Sequence, residues 1–202
     1  MACMKVLVLH AHPRLRNSVV QSAMLKAIAG LEHVTIRDLY AAYPDFAIDV
    51  AAEQQSLLAH DVIVFQHPFY WYSSPAIIKE WQDLVLENGW AYGPGGTRLA
   101  GKFLLSAISA GGTGQAYRLQ GRNRFEMEEL LTPFNQTAFL CSMAYLRPFV
   151  IHAGRRMTSE DLSAAAESYR DLIVGLRDGR IDPLAMLADG FTLPTAFARE
   201  TA

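Results

Sequence analysis

Asp61–Asp83, DVIVFQHPFYWYSSPAIIKEWQD, decides the architecture. Val62 to Gln66 is mostly β-branched or aromatic and reads as a buried strand. His67-Pro68 and four aromatics in a row, Phe69, Tyr70, Trp71 and Tyr72, follow, and then a helix begins. Ser74 can cap its first turn, and Pro75 suits the first helical position, where its missing N–H would have no partner. In an open α/β sheet, ligands sit at the loops leaving the carboxyl ends of strands. Four aromatics in such a loop are costly to expose unless they cover something flat. Packing on a neighbouring subunit or on the core accounts for them equally well.

Outward from this segment the same alternation recurs. Lys5–Leu9 reads as a strand, followed by the polar loop His10–Asn17. Ser18–Ala29 then reads as a helix with Val19, Val20, Ala23, Met24, Ala27 and Ile28 on one apolar stripe. Val34–Arg37 is a short strand, Asp38–Asp49 an irregular segment and Ala51–Ala59 a helix. Beyond the Pro75–Leu86 helix come a glycine-rich loop (Gly89–Gly101), a strand (Lys102–Ile108) and a second glycine-rich loop (Ser109–Gly121). A helix interrupted near Pro133 (Phe125–Cys141), a strand (Arg147–His152) and a closing helix capped by Ser159 (Ser159–Leu176) complete the pattern. Five β-α repeats with strands apolar throughout predict an α/β fold: a parallel sheet between two helical layers. Right-handed crossovers and five strands favour a flavodoxin-like three-layer sandwich in the order 2-1-3-4-5.

The chain of 202 residues suits one domain, with a core over about 4–176 and a C-terminal tail over 182–202. Its 51% hydrophobic and 19% charged residues fit a covered sheet, and a formal charge of -2 gives no basis for nucleic-acid binding. No apolar run reaches the roughly 20 residues that span a bilayer. The N-terminus reads as a first strand, not as a signal peptide. Cys3 and Cys141 have no metal-ligand spacing and make no disulfide scaffold, which suits a reducing cytoplasm.

In the predicted order, the loops after strands one, three and four converge. The first, HAHPRLRNSVVQ, lacks G-x-G-x-x-G but leads into a helix start at Ser18, with His12, Arg14 and Arg16 upstream. Free N–H groups and a hydroxyl there suit a phosphate, although an ordinary capped helix looks the same. The loop after strand four holds Gly111, Gly112 and Gly114, which allow close backbone approach to a ligand or simply a flexible loop. Together the loops describe a slot with a phosphate end and a flat, aromatic end. A phosphorylated isoalloxazine fits it. No metal-binding or acyl-transfer motif is present.

LHAHP, DLYAAYPDFAIDVAAEQ, FQHPFYWYSSPAIIKEW, GWAYGPGGTRLAGK and SAGGTGQAYRLQGRN, in this order, resemble the flavodoxin-like NAD(P)H:quinone oxidoreductase family. The nearest branch is that of the ancillary flavoproteins of glutathione-regulated, Kef-type potassium-efflux systems. The resemblance implies a two-electron reductase working by ping-pong, in which NAD(P)H and then a quinone use the same face of a bound flavin. FMN is preferred over FAD because the chain is short. The resemblance assigns His12, Ser18, Val19, Val20 and Gln21 to the phosphate and ribityl segment. Pro68, Phe69, Tyr70, Trp71 and Tyr72 run along the isoalloxazine, and Ser109, Ala110, Gly111 and Gly112 meet its pyrimidine end. Tyr117 lines the acceptor pocket. Asn123 stands where the larger quinone reductases carry a titrating histidine, and Ser109-Ala110 replaces their Thr-Thr.

A homodimer is also implied, and Tyr43–Phe46 and Trp90–Tyr92 are aromatic-rich loops that would be awkward on a monomer surface. Arg122 and Arg124 can receive the phosphate of NADPH, or be solvated arginines. His10 reads as a core or strand-end residue, His67 as the source of a loop-fixing hydrogen bond, and Trp81 as packing. The alternative function is a regulatory subunit on the cytoplasmic face of a potassium/proton antiporter, with flavin as a structural or redox-sensing group. Reduction of azo or nitro compounds at the same site is a third option.

Overall fold

The computed structural model describes residues 3–188 and residue 194, so most of the tail expected from 182 to 202 lies outside the described residues. The chain runs β1 (Val6–His10), α1 (Val19–Ile28), β2 (Val34–Asp38), α2 (Leu39–Ala42), α3 (Val50–Leu58), β3 (Val62–Pro68) and α4 (Ala76–Val85). It continues through β4 (Phe103–Ser109), α5 (Met127–Leu130), α6 (Thr132–Leu140), β5 (Ala144–Tyr145), β6 (Phe149–Ile151) and α7 (Ser159–Arg177). The sheet order is β2-β1-β3-β4-β5, all parallel, with β6 also pairing with β4. This is the predicted flavodoxin-like order.

Strand period dictates the layering. Successive side chains of a strand point to opposite faces. Leu7, Leu9, Ile63 and Phe65 therefore pack with Ile77, Ile78 and Trp81 of α4, while Val6, Val8, Val62 and Val64 pack with Met24 and Ile28 of α1 and Tyr169 and Ile173 of α7. Both faces are dry, which is why these strands carry no polar alternation. Among the described residues no helix is long and apolar enough to cross a membrane.

Several local expectations are corrected. The fifth strand, expected at Arg147–His152, begins earlier and is split in two. Leu146 N–H still donates to Leu104 O (2.8 Å), but Arg147 N–H turns to Met186 O (2.6 Å) and Pro148 has no N–H to give. The described start of the tail thus lies along this edge of the sheet. The Asp38–Asp49 segment contains the turn α2, because the Asp38 side chain accepts from Ala41 N–H (3.1 Å). Pro75 flanks α4, and no side chain, Ser74 included, caps it. Thr158, not Ser159, caps α7, in a reciprocal box with Asp161. On α1 the stripe is rotated: Val19 is 67% exposed and Gln21 is fully buried.

The aromatic loops expected to face outward turn inward. Tyr43 is buried, and Phe46, Trp90 and Tyr92 pack against the core. Beside Tyr43 lies Glu53, a fully buried carboxylate bonded by Arg37, by the Tyr43 hydroxyl (2.7 Å) and by Trp81 Nε1 (2.9 Å). That set of donors satisfies a charge that would otherwise be costly to bury. Trp81 accordingly packs in the core, as expected.

Candidate functional site

The carboxyl ends of β1, β3 and β4 lie side by side, with His10 opposite Gln66 and Pro68 opposite Ser109. A cleft of about 590 Å³ opens above them. Its first wall is the start of α1. Ser18 Oγ accepts from Gln21 N–H (3.3 Å), and the first-turn N–H groups of Val19 and Val20 have no helical partner. The second wall is Pro68, Phe69 and Tyr70, and the floor is Ser109, Ala110 and Gly111. A second hollow of about 380 Å³ shares Gly111 and collects Tyr72, Gly112, Tyr117, Arg122 and Asn123.

Most expected site residues therefore meet in two adjoining hollows. His12, Ser18, Val19, Val20, Pro68, Phe69, Tyr70, Ser109, Ala110 and Gly111 line the larger; Tyr72, Gly112, Tyr117 and Asn123 line the smaller. Two line neither. Gln21 is fully buried behind the floor and donates through Nε2 to Ser109 Oγ (2.9 Å), while Trp71 is 92% exposed. Of the two candidate phosphate arginines, Arg122 lines the smaller hollow and Arg124 does not. Arg156 and Gly154, from the turn after β6, complete the lining and were not foreseen. A Cβ at Gly154 would lie 2.6 Å from Val20 Cγ2, so glycine lets this turn close on α1. A glycine just after the fifth strand was the available signal.

The aromatic loop is a tight turn. Tyr70 N–H donates to Ser73 O (3.1 Å) and Ser73 N–H to Tyr70 O (3.0 Å), with φ of +50° at Trp71 and +63° at Tyr72. Both central residues are left-handed, the geometry of a type I′ turn, which favours Asn-Gly. An L-residue there costs roughly 1–2 kcal/mol. Central N–H groups of such a turn face away from its own hydrogen bonds and so toward other acceptors.

Burial lowers the His12 pKa and keeps the ring neutral. Arg14 N–H donates to His12 Nδ1 (3.0 Å), so the ring proton sits on Nε2, 3.4 Å from the Tyr70 hydroxyl. Burial raises the Tyr117 pKa, leaving a neutral phenol between the rings of Phe69 (5.9 Å) and His152 (5.5 Å). Tyr72 Oη–H donates to Asn123 Oδ1 at 3.5 Å. Beneath the floor His67 Nδ1 lies 2.9 Å from Pro68 O, the expected loop-fixing contact, and His10 is fully buried at the end of β1. Ala110 N–H is engaged by Ile151 O (2.8 Å) and Gly112 N–H faces the Tyr117 hydroxyl, so the donors this loop has left for a ligand are Gly111 N–H and the Ser109 hydroxyl. Arg14, Arg122 and Arg156 rim the hollows, a local positive field on a chain of net charge -2.

Residues 4–173 match the family described as having the flavodoxin-like fold. The glutathione-regulated potassium-efflux system ancillary protein KefG of Yersinia pseudotuberculosis is 49% identical over 165 residues, 82% of this chain and 91% of that protein. The general stress protein 14 of Treponema denticola, solved in complex with FMN, superposes with a TM-score of 0.80 at 36% identity, covering 85% of this chain and 99% of that one. An NADPH-quinone reductase from P. pentosaceus superposes with a TM-score of 0.77 at 31% identity, covering 84% and 97%. The chain belongs to the flavodoxin-like NAD(P)H:quinone oxidoreductase family, in the branch that includes the ancillary proteins of glutathione-regulated potassium-efflux systems.

Proposed function

We propose that the chain is a flavin-dependent NAD(P)H:quinone oxidoreductase, with FMN in the larger hollow and the electron donor and quinone admitted in turn to the smaller one. The observation that carries this reading is the convergence of an open helix start, a strained aromatic turn and a glycine-backed strand end on one cleft. The residues present fit such a group. A Cβ at Gly111 would meet nothing within 4 Å, so the backbone there is open to a ring edge.

Ser18, the N–H groups of Val19 and Val20, and Arg14 hold the phosphate. Phe69 and Tyr70 would cover the ring plane, while Gly111 N–H and the Ser109 hydroxyl would donate to its polar edge. When bound, FMN supplies the two-electron, ping-pong coupling of NAD(P)H oxidation to quinone reduction. Tyr117, kept protonated by burial, donates toward charge developing in the smaller hollow. Asn123 cannot titrate, so the proton taken up on quinone reduction comes from solvent. The same reading makes the protein a cytoplasmic homodimer, and light scattering at micromolar concentration should give twice the chain mass.

The identity to an ancillary protein of a potassium-efflux system favours a second reading. In it the chain docks peripherally on the inner face of the membrane against a potassium/proton antiporter, with flavin as a structural or redox-sensing group. An anaerobic visible spectrum tests the cofactor, and menadione separates the two readings. Flavin bands that bleach with NADPH and return quickly with menadione support the reductase. Bands that bleach but return slowly support the regulator. A colourless protein that takes up no added FMN overturns both.

A further inference from the structure

Beneath the cleft floor a chain of buried hydrogen bonds runs from α7 to Ser109. Tyr169 Oη lies 3.0 Å from Gln66 Oε1, Gln66 Nε2 lies 3.0 Å from Gln21 Oε1, and Gln21 Nε2 lies 2.9 Å from Ser109 Oγ. Tyr169, Gln66 and Gln21 are fully buried, so none of them can exchange a partner for water.

The direction of this chain is fixed by chemistry. Gln66 Nε2 also approaches the backbone carbonyl of Gln21 (3.5 Å), which only accepts; the amide nitrogen must therefore face that way. Gln66 Oε1 then receives the Tyr169 hydroxyl proton, which has no other acceptor in its buried site. Gln21 Oε1 must accept from Gln66, which turns Gln21 Nε2–H toward Ser109. Ser109 Oγ is an acceptor at this junction, and its own proton has no acceptor among the described residues. Ser109 lines the cleft.

We propose that the Gln66–Gln21 relay positions Ser109 as a fixed hydroxyl donor to an acceptor atom of the bound ring, with Gln21 as the positioning residue. This rests on the FMN reading above and deepens it. It also explains why a glutamine occupies the buried face of α1, where the helical pattern calls for an apolar side chain.

The test is FMN titration of the flavin-free protein, together with the midpoint potential and Tm. Gln21→Glu replaces the donor with an acceptor and obliges Ser109 to turn its proton inward. FMN affinity should fall about five- to tenfold, the scale of one lost neutral hydrogen bond. Ser109→Ala should produce the same loss and a potential shift of the same sign. The double variant should be no weaker than either single one, because both remove one interaction. Tyr169→Phe is the control for structure alone. It should lower Tm while leaving FMN affinity within about twofold, since the Gln21 carbonyl still orients Gln66. If Gln21→Glu misfolds, Gln21→Met, which removes the donor at similar volume, takes its place and should lower FMN affinity by the same factor. Wild-type affinity in Ser109→Ala, or additive losses in the double variant, overturns the relay while leaving the FMN reading intact. Failure of the wild-type protein to take up FMN overturns both.

Discussion

Asn123 is the residue that most shapes the chemistry available in the smaller hollow. It sits within reach of the Tyr72 hydroxyl and beside Tyr117, yet it exchanges no proton at any physiological pH. With Tyr117 held neutral by burial, the described residues that line the smaller hollow include no histidine and no carboxylate. Quinone turnover by the native protein should therefore be nearly flat from about pH 6 to about pH 8. Asn123→His places an imidazole with an ordinary pKa near 6.5 at this position. Turnover should then rise as pH falls through about 6.5, where the protonated ring becomes a donor, by roughly tenfold or more over the native protein. A pH profile of kcat for the two proteins checks this; parallel profiles would remove Asn123 from the proton economy of the site.

At the scale of the element, the Tyr70–Ser73 turn sets fold stability against function. Trp71 and Tyr72 hold left-handed φ angles that Asn-Gly would adopt without strain, and Trp71 is almost wholly exposed. Trp71→Asn combined with Tyr72→Gly should stabilise the fold by about 1–2 kcal/mol, raising Tm by roughly 2–8 °C. The same change strips an aromatic side chain from the smaller hollow, so quinone KM should rise. Calorimetry with steady-state kinetics reads both; a Tm that falls would mean the aromatics pack on something that favours them, such as a second copy of the chain. Elements of this kind also mark how far the sequence was legible. Strands β1, β3 and β4 were readable because burial on both faces erases alternation, and the topology followed. The split of β5 from β6 was not, because it depends on where the tail returns to take the Arg147 N–H. The outward rotation of Val19 and the burial of Gln21 were equally hidden: helical periodicity counts apolar residues and cannot see a hydrogen-bond partner 88 residues away. Tyr43 was misread for the same reason, since Glu53 and Arg37, the groups that draw its hydroxyl inward, lie on other elements.

For the whole molecule, the floor of the cleft should make the fold sensitive to acid. His10 and His67 are buried, and burial lowers each pKa to about 4. Nε2 of His67 lacks a hydrogen-bond partner, and a proton on the His10 ring is met only in part, by the Gln66 carbonyl and the Asp38 charge, so burial outweighs what either site offers a charged ring. In the unfolded chain the same rings protonate near 6.5. Between these values the unfolded state binds more protons than the folded one, so stability is full above about pH 6.5 and falls as pH drops toward 4. At pH 5 the loss is on the order of 2 kcal/mol for each ring, a large fraction of the 5–15 kcal/mol that holds a typical domain together. The two losses do not simply add, because the rings lie close enough to repel when both are charged. Urea denaturation at pH 7.5, 6.0 and 5.0 should show midpoints that decline steadily. His67→Gln removes one titrating group while keeping an amide to meet the Pro68 carbonyl, and it should flatten the decline by about half. A native protein whose midpoint is constant from pH 7.5 to 5.0 would require that these rings, at the junction of β1, β3 and the cleft, carry a proton in the folded state as readily as in water.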